Sequence, residues 1–482
     1  MMDLLTLTIL LLTGTSLALP FFQLTRAKTF SAYLLIVALV LSLIFISIYG
    51  ISPVQNQLSS SLLASDTLGA LFGVIAIGVT LFVAIASIPY MQTPNIAVYY
   101  SLLGFAALGM VLLSFSKDFL MLFVAWELMS FPTYVLAGID KKRRSNEAAV
   151  KYAIIGAMSS AIILYAISIA YGIAGSTQIS DVVKALSARH DIISAFSVLL
   201  FVAGFGFKMS IVPFHMWIPD AYEGAPTTVS TLFAAATKKA GFVAAIRVLL
   251  AITTTYVVTS NPIFTIPNIL AVLALLTMTL GNVAALTQRS MTRLLAYSSI
   301  AQAGYILIGF VPFALSPLSY DAQIGMTGSL FHILNHAVMK GAAFIVAAFV
   351  VLKLRRADLD SYNGLAKRMP VASFTLAVSL FALAGIPPLN GFWSKLYIFL
   401  SVANGPYLWL AVAGILNSAF SLGYYAWIVK RMYLDEPEKK DRVEESLIFV
   451  VLFAVFTGLI VGIGIFPQVF VNFISGAVSS VG

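Results

Sequence analysis

Lys208, Lys238, Lys239, Lys340 and Lys395, with His332 and His336, all lie inside long apolar runs of the chain, and Lys151 and Arg247 lie nearer the ends of such runs. Against these bases only one acid, Glu127 in Phe123-Val124-Ala125-Trp126-Glu127-Leu128-Met129, sits deep in an apolar run. An ionisable group in hydrocarbon costs about 3 kcal/mol or more, so such groups face a protein interior and mark ion routes. So many bases around one acid cannot all be permanently charged ion pairs. Several of the lysines must exchange protons, as desolvated lysines do.

Each candidate has a competing explanation. Lys151 and Arg247 are within a turn or two of a run's end, where snorkelling to the interface would account for them. Lys238 and Lys239 are neighbours and point about 100° apart on a helix, so one is expected to face the interior and the other to be peripheral. Glu127 could serve only as a structural counter-charge. His332, His336 and Lys340 recur at four-residue intervals on one helical face. No third ligand accompanies the histidine pair, so proton relay or internal hydrogen bonding is favoured over a metal.

The elements that must position these groups are membrane helices. Of 482 residues, 60% are hydrophobic and 10% charged, with a mean hydropathy of +0.98, far from the quarter charged of soluble domains. Runs of about 20 residues span the hydrocarbon layer. Fourteen are expected, at 4–22, 30–49, 67–91, 96–115, 119–139, 148–174, 192–213, 227–256, 264–287, 291–313, 323–352, 370–402, 407–431 and 446–474. The chain is thus an all-α polytopic protein, one membrane domain over 1–482. Met1-Met2-Asp3 gives the first run no basic start, so it reads as a helix and not a leader. There is no cysteine, which rules out thiolate metal or iron–sulfur ligation by this chain.

The net charge of +9 is distributed as topology and forms no nucleic-acid patch. Loops after odd-numbered spans hold 18 Lys/Arg: Arg26, Lys28, Lys141, Lys142, Arg143, Arg144, Arg289, Arg293, Lys353, Arg355, Arg356, Lys367, Arg368, Lys430, Arg431, Lys439, Lys440 and Arg442. The opposite loops hold three, Lys117, Lys184 and Arg189. The positive-inside rule then places both termini on the non-cytoplasmic side. The polar segments near 353–369 and 430–446 read as loops or short interfacial helices.

Prolines interrupt two spans, and each interrupted span carries a lysine. Lys208 precedes Pro213 in the seventh, and Lys395 follows Pro387 and Pro388 in the twelfth. Proline frees backbone carbonyls, tolerable at membrane depth only where protein or water satisfies them. Two such spans five apart, with the lysine on opposite sides of the break, fit inverted repeats: spans 4–8 (96–256) and spans 9–13 (264–431). The residues alone therefore describe a fourteen-helix transporter for a small cation, H⁺ being favoured.

The same residues carry a family resemblance over roughly 70–430. The stretch Lys208–Phe242, KMSIVPFHMWIPDAYEGAPTTVSTLFAAATKKAGF, resembles the seventh and eighth spans of antiporter-like subunits of complex I. Thr292–Tyr305, TRLLAYSSIAQAGY, is similar to their tenth span, and GIPPLNGFWSK to their twelfth. Glu127 stands in a matching Trp-Glu-Leu-Met-Ser-Phe-Pro context. PDAYEGAPT, KRRSNEAAVKY and RLLAYSSIAQAGY look most like subunit N of NADH:quinone oxidoreductase or its archaeal counterparts in reduced-deazaflavin or ferredoxin dehydrogenases. The histidine-rich 332–340 stretch instead resembles L-, M- and hydrogenase-type subunits or multisubunit cation/proton antiporters.

The resemblance implies a catalytic chain of Glu127 and Lys208 as a charged pair, Lys151 close to it, Lys238 (or Lys239) as the eighth-span lysine, His332 and His336 as bridges, and Lys395 as the terminal lysine. It implies no cofactor and no metal in this chain, with FMN and iron–sulfur clusters in partner subunits. Partners would be other membrane subunits, a peripheral redox arm and the lipid bilayer, without nucleic acid, in an inner, plasma or other energy-converting membrane. The expected activity is proton translocation switched by the Glu127–Lys208 pair and driven by electron transfer from NADH, reduced deazaflavin or ferredoxin to a quinone or similar carrier. A subunit of a Na⁺/H⁺ antiporter or a membrane-bound hydrogenase is the alternative.

Overall fold

A computed structural model describes residues 3–24, 28–51, 61–189, 191–251, 265–439 and 441–479. Apolar runs in a bilayer must satisfy every backbone polar group internally, and they do so here as helices. In chain order these are α1 (Leu4–Phe22), α2 (Phe30–Ile51), α3 (Thr67–Tyr90), α4 (Ile96–Phe115), α5 (Phe119–Ala137), α6 (Arg143–Ala174), α7 (Ile179–Ser187), α8 (Ile192–Met209), α9 (Ile218–Gly224), α10 (227–250), α11 (Ile266–Leu286), α12 (Met291–Leu315), α13 (Tyr320–Leu354), α14 (Pro370–Ala384), α15 (Asn390–Leu400), α16 (Leu408–Leu434), α17 (Leu447–Ile465) and α18 (Pro467–Val478). Twelve of the described helices are long and apolar enough to cross a membrane. The composite α10 and the broken pair α14–α15 bring the expected crossings to fourteen.

Contacts between loops follow the parity that alternating crossings require. At one end, Leu63 bridges Ser116 and Asp118 bridges Gln178, joining the loops after the second, fourth and sixth spans. Tyr407 there donates to Asn268 Oδ1 (2.6 Å). At the other end Gln23 donates to Pro94 O (2.7 Å), and Ser290 bridges Asp358. The basic loops thus share one end of the bundle. Short acids at the opposite end serve as helix caps: Asp66, Asp118 and Asp191 accept backbone N–H groups at the starts of α3, α5 and α8.

Several boundaries differ from the sequence-based expectation. The sixth span begins at Arg143, so Arg143 and Arg144 occupy a helical turn outside the apolar run. The amphipathic α7, with Val182 and Leu186 buried and Lys184 exposed, is an extra element. The last span ends at Ile465, because Pro467 cannot continue α17 and starts α18 instead. Positions 252–256 of the expected eighth span, position 264 of the ninth, and Arg26 and Lys440 of the basic loops lie outside the described residues.

Candidate functional site

Both expected helix breaks are present, and each is stitched by side chains. The first separates α8 from α9. Lys208 sits in the last turn of α8, where the carbonyl of Phe207 accepts from Trp217 Nε1 (3.1 Å). The second separates α14 from α15. There the freed carbonyls of Leu383 and Ala384 accept from Lys395 Nζ at 2.9 and 3.0 Å, while Ser418 Oγ accepts a third bond at 2.8 Å. The lysine itself supplies the donors that the missing turn would have supplied.

Lys208 lies in an aromatic box. Its ammonium donates to Tyr152 Oη (2.8 Å) and lies 4.9, 5.4 and 5.8 Å from the ring centres of Tyr152, Tyr134 and Phe207. Such faces attract a cation without neutralising it. Glu127 does not pair with it: all 19 acids are among the described residues, and none lies within 4.0 Å of Lys208. The expected Glu127–Lys208 pair is therefore separated here. Trp126 Nε1, Glu127 Oε1, Ser130 Oγ and Tyr134 Oη form a strip along α5 with no protein hydrogen-bond partner.

Lys238 and Lys239 correct the expectation that one of them is peripheral. Both are 2% exposed. The helix around them explains this: residues Phe233–Thr237 and Ile246–Leu250 are π-helical, and α10 is enclosed by α3, α4, α8 and α13. A π segment shifts the backbone pairing and releases carbonyls. The Ala234 carbonyl accepts from Lys239 Nζ (2.6 Å), which also meets His336 Nδ1 at 2.6 Å. Lys238 donates to the carbonyl of Ser299 (2.5 Å).

From His336 the polar line continues to Lys395. The rings of His336 and His332 are 6.3 Å apart and nearly parallel. His332 meets Ser394 Oγ through Nδ1 and Gln302 Oε1 through Nε2, both at 2.9 Å. Gln302 is held in that orientation because its amide nitrogen donates to Leu383 O (3.1 Å). His332 Nε2 is thereby the donor, leaving Nδ1 to accept from Ser394 or to take a proton. Ser394 precedes Lys395, whose ammonium lies 4.7 Å from the Tyr305 ring centre. Lys340 donates to Leu295 O (2.9 Å) and Ser298 Oγ (2.5 Å). One face of α12 thus serves Lys340, Lys238, His332 and Lys395 in turn through Leu295, Ser298, Ser299, Gln302 and Tyr305. Nothing in the TRLLAYSSIAQAGY run itself marks these positions as acceptors.

Two bases fall outside this line. Lys151 is half exposed and pairs with Glu147 (2.8 Å) and Asp220 (3.0 Å); its neighbour Tyr152 is the residue that reaches Lys208. Arg247 reaches the N-cap of α3 at the end of the bundle. It makes a two-pronged bond to Asp66 (2.9 and 2.8 Å) and donates to Ser114 O. Among the described residues no group of three metal-ligating side chains is present; His332 is held by Ser394 and Gln302, and His336 meets Lys239 through Nδ1 while its buried Nε2 has no protein partner.

Residues 116–421 match the family described as NADH:quinone oxidoreductase/Mrp antiporter, TM. The chain belongs to this family. The F(420)H(2) dehydrogenase subunit N of Methanosarcina mazei is 40% identical over 432 residues, covering 87% of this chain and 85% of that one. NADH-quinone oxidoreductase subunit N of Desulfitobacterium hafniense is 38% identical over 377 residues, covering 76% and 75%. These relatives place the chain with the N-type, complex I-like members of the antiporter family, despite its histidine-rich α13. A chain of respiratory complex I from Thermus thermophilus superposes with a TM-score of 0.81 at 27% identity, covering 97% of this chain and 99% of that one. The family's subunits are multi-pass and work within larger membrane complexes, so the apolar outer faces of this chain have membrane subunits as well as lipid to meet.

Proposed function

We propose that this chain translocates protons across the membrane as an N-type subunit of a complex I-like oxidoreductase, and that it does so without a redox centre of its own. The observation that carries this is the buried line of five lysines and two histidines, none more than 3% exposed and none touching a carboxylate. Permanent charge at every one of these sites would be prohibitive, whereas one mobile proton shared along the line is not. The catalytic residues on this reading are Lys208, Lys238, Lys239, His336, His332 and Lys395, with Glu127 as the switch. When Glu127 approaches Lys208, the ammonium is held; when they separate, the unpaired buried charge is disfavoured by about 3–5 kcal/mol. The proton then moves onward through α10 and α13 to Lys395.

The separated Glu127 and Lys208 represent the open position of that switch. The basic end of the bundle is cytoplasmic on this reading, in a plasma or equivalent energy-converting membrane, with both termini outside. The two stitched breaks belong to inverted repeats, spans 4–8 and 9–13, each contributing one half of the route. The relatives are named for reduced-deazaflavin (F420H2) and NADH oxidation, so electron transfer in partner subunits bearing the flavin and iron–sulfur clusters drives the switch. Lys208→Ala in the assembled complex tests the proposal: donor-driven proton pumping into inverted vesicles is expected to be lost. Unchanged pumping with normal assembly refutes it.

A further inference from the structure

At the basic end, six charged side chains from three helices surround a cavity of about 200 Å³: Arg144, Glu147 and Lys151 of α6, Asp220 and Glu223 of α9, and Arg293 of α12. Their bonds form one continuous chain from Arg144 to Glu147. Arg144 meets Glu223 at 2.7 Å, Lys151 meets Glu147 at 2.8 Å and Asp220 at 3.0 Å, and Arg293 meets Asp220 at 2.8 Å and Glu223 at 3.2 Å. Resting on the proposed proton-translocating role, we propose that this cluster is a positioning latch for Lys208, and that Arg293, Asp220 and Glu223 are its working residues.

The linkage is short. A helix of seven residues cannot hold itself, so α9 lies where its attachments put it. Besides the ion pairs, Ser145 Oγ donates to Gly224 O (2.8 Å), and Gly224 lets α6 approach so closely that a Cβ there would collide with the Ala148 side chain. The residue before α9 is Trp217. Its ring lies flat on Tyr152, centroids 4.4 Å apart and planes 6° apart, and its Nε1 donates to the carbonyl of Phe207 beside Lys208. Tyr152 Oη is the hydrogen-bond acceptor of Lys208. A shift of α9 therefore moves Trp217, and with it both the ring that faces Lys208 and the acceptor that holds it.

At its other end the latch grips α12 through Arg293. That helix carries the acceptors of Lys238, Lys340 and His332. The ion pairs thus fix the relation between the helix half that orients the first lysine and the helix that holds the onward line. None of these groups touches Lys208 itself, so their effect is on geometry. Partly exposed ion pairs contribute little to overall stability, which leaves such a cluster free to open and close.

The test measures protons moved per donor oxidised in inverted vesicles containing the assembled complex. Arg293→Gln is expected to lower that ratio about two- to five-fold, and Arg293→Lys, which restores one cation, to recover most of it. Trp217→Leu severs the link, so the double variant is expected to be no worse than Trp217→Leu alone, as residues acting through one another are non-additive. An unchanged ratio in Arg293→Gln, or strictly additive losses in the double variant, overturns the latch. Should Arg293→Gln fail to assemble, Asp220→Asn with Trp217→Phe is read by the same criteria. Lys208→Ala in parallel separates the two ideas: if it abolishes pumping while the latch variants do nothing, only the latch is wrong; if it changes nothing, the proton-translocating role itself falls.

Discussion

Lys239 Nζ and His336 Nδ1 stand 2.6 Å apart, a contact that can form only if one nitrogen donates and the other accepts. An ammonium facing a neutral imidazole and a neutral amine facing a protonated Nδ1 satisfy it equally. Doubly protonated partners do not. The contact therefore needs one hydrogen between the two nitrogens, which either residue can supply, and it links α10 to α13.

That geometry separates charge from proton exchange. Lys239→Arg keeps the cation, but a guanidinium does not give up its proton. His336→Gln keeps an acceptor for Lys239, but cannot carry a proton onward. Both variants should assemble normally and lose donor-driven pumping by about ten-fold or more, the range expected when a positioned proton carrier is removed. Fluorescence quenching by an acridine dye in inverted vesicles reads this directly; wild-type quenching in either variant would show that the proton does not cross here.

Gly385 closes α14 with φ +91°, and a Cβ at this position would lie 3.1 Å from Lys395 Cδ. Both features argue against any side chain. Gly385→Ala should destabilise the fold by about 1–3 kcal/mol from the backbone alone. It should also displace Lys395 from the carbonyls of Leu383 and Ala384. The expected result is a lower thermal midpoint of the purified complex together with impaired pumping. A full-strength pump with an unchanged midpoint would mean that the break tolerates rearrangement.

The Asp66–Arg247 pair ties the start of α3 to the end of α10, with side chains 15% and 10% exposed. Asp66 also caps α3 through Gly69 N (2.7 Å). Breaking a largely buried pair leaves the other charge stranded, at a cost of about 3–5 kcal/mol. Arg247→Ala is therefore expected to reduce the amount of assembled chain recovered from membranes, whereas Arg247→Lys, which keeps one of the two bonds, should recover part of it. Equal recovery of Arg247→Ala and wild type would show the pair to be dispensable.

Much of this architecture was legible in the sequence because the bilayer enforces it. Helix length, the parity of the basic loops and the proline breaks all follow from rules with few exceptions in hydrocarbon, and the lysines and histidines stood out because apolar runs make them costly. What was not legible depends on three-dimensional enclosure. Lys238 and Lys239 are both interior because α10 is surrounded and partly π-helical, which the 100° rule for an exposed amphipathic helix does not anticipate. Tyr152, Trp217, Ser299 and Gln302 are common membrane-helix residues, and only their placement beside a lysine or histidine gives them a role. Lys151 is placed close to the pair by the family resemblance alone, whereas its own side chain turns to Glu147 and Asp220 and its neighbour Tyr152 reaches Lys208.

Asp220 supplies a prediction whose sign can be worked out. Partial burial works to raise its carboxyl, but hydrogen bonds from Lys151 and Arg293, with the charges of Arg293 and Lys151, hold it below the usual carboxylate range. A group whose folded-state value is depressed stabilises the fold above the unfolded value, near about 4, and that contribution disappears as the pH falls through the folded value. Asp220 is about one-third exposed, so its contribution is of the order of 1 kcal/mol after solvent screening. The thermal midpoint of Asp220→Asn should thus lie below that of the wild type throughout pH 6–8, by a constant amount. The two should converge only once the pH drops below about 4. A difference that varies between pH 6 and 8 would show that another group, and not the Asp220 carboxylate, sets the strength of the cluster.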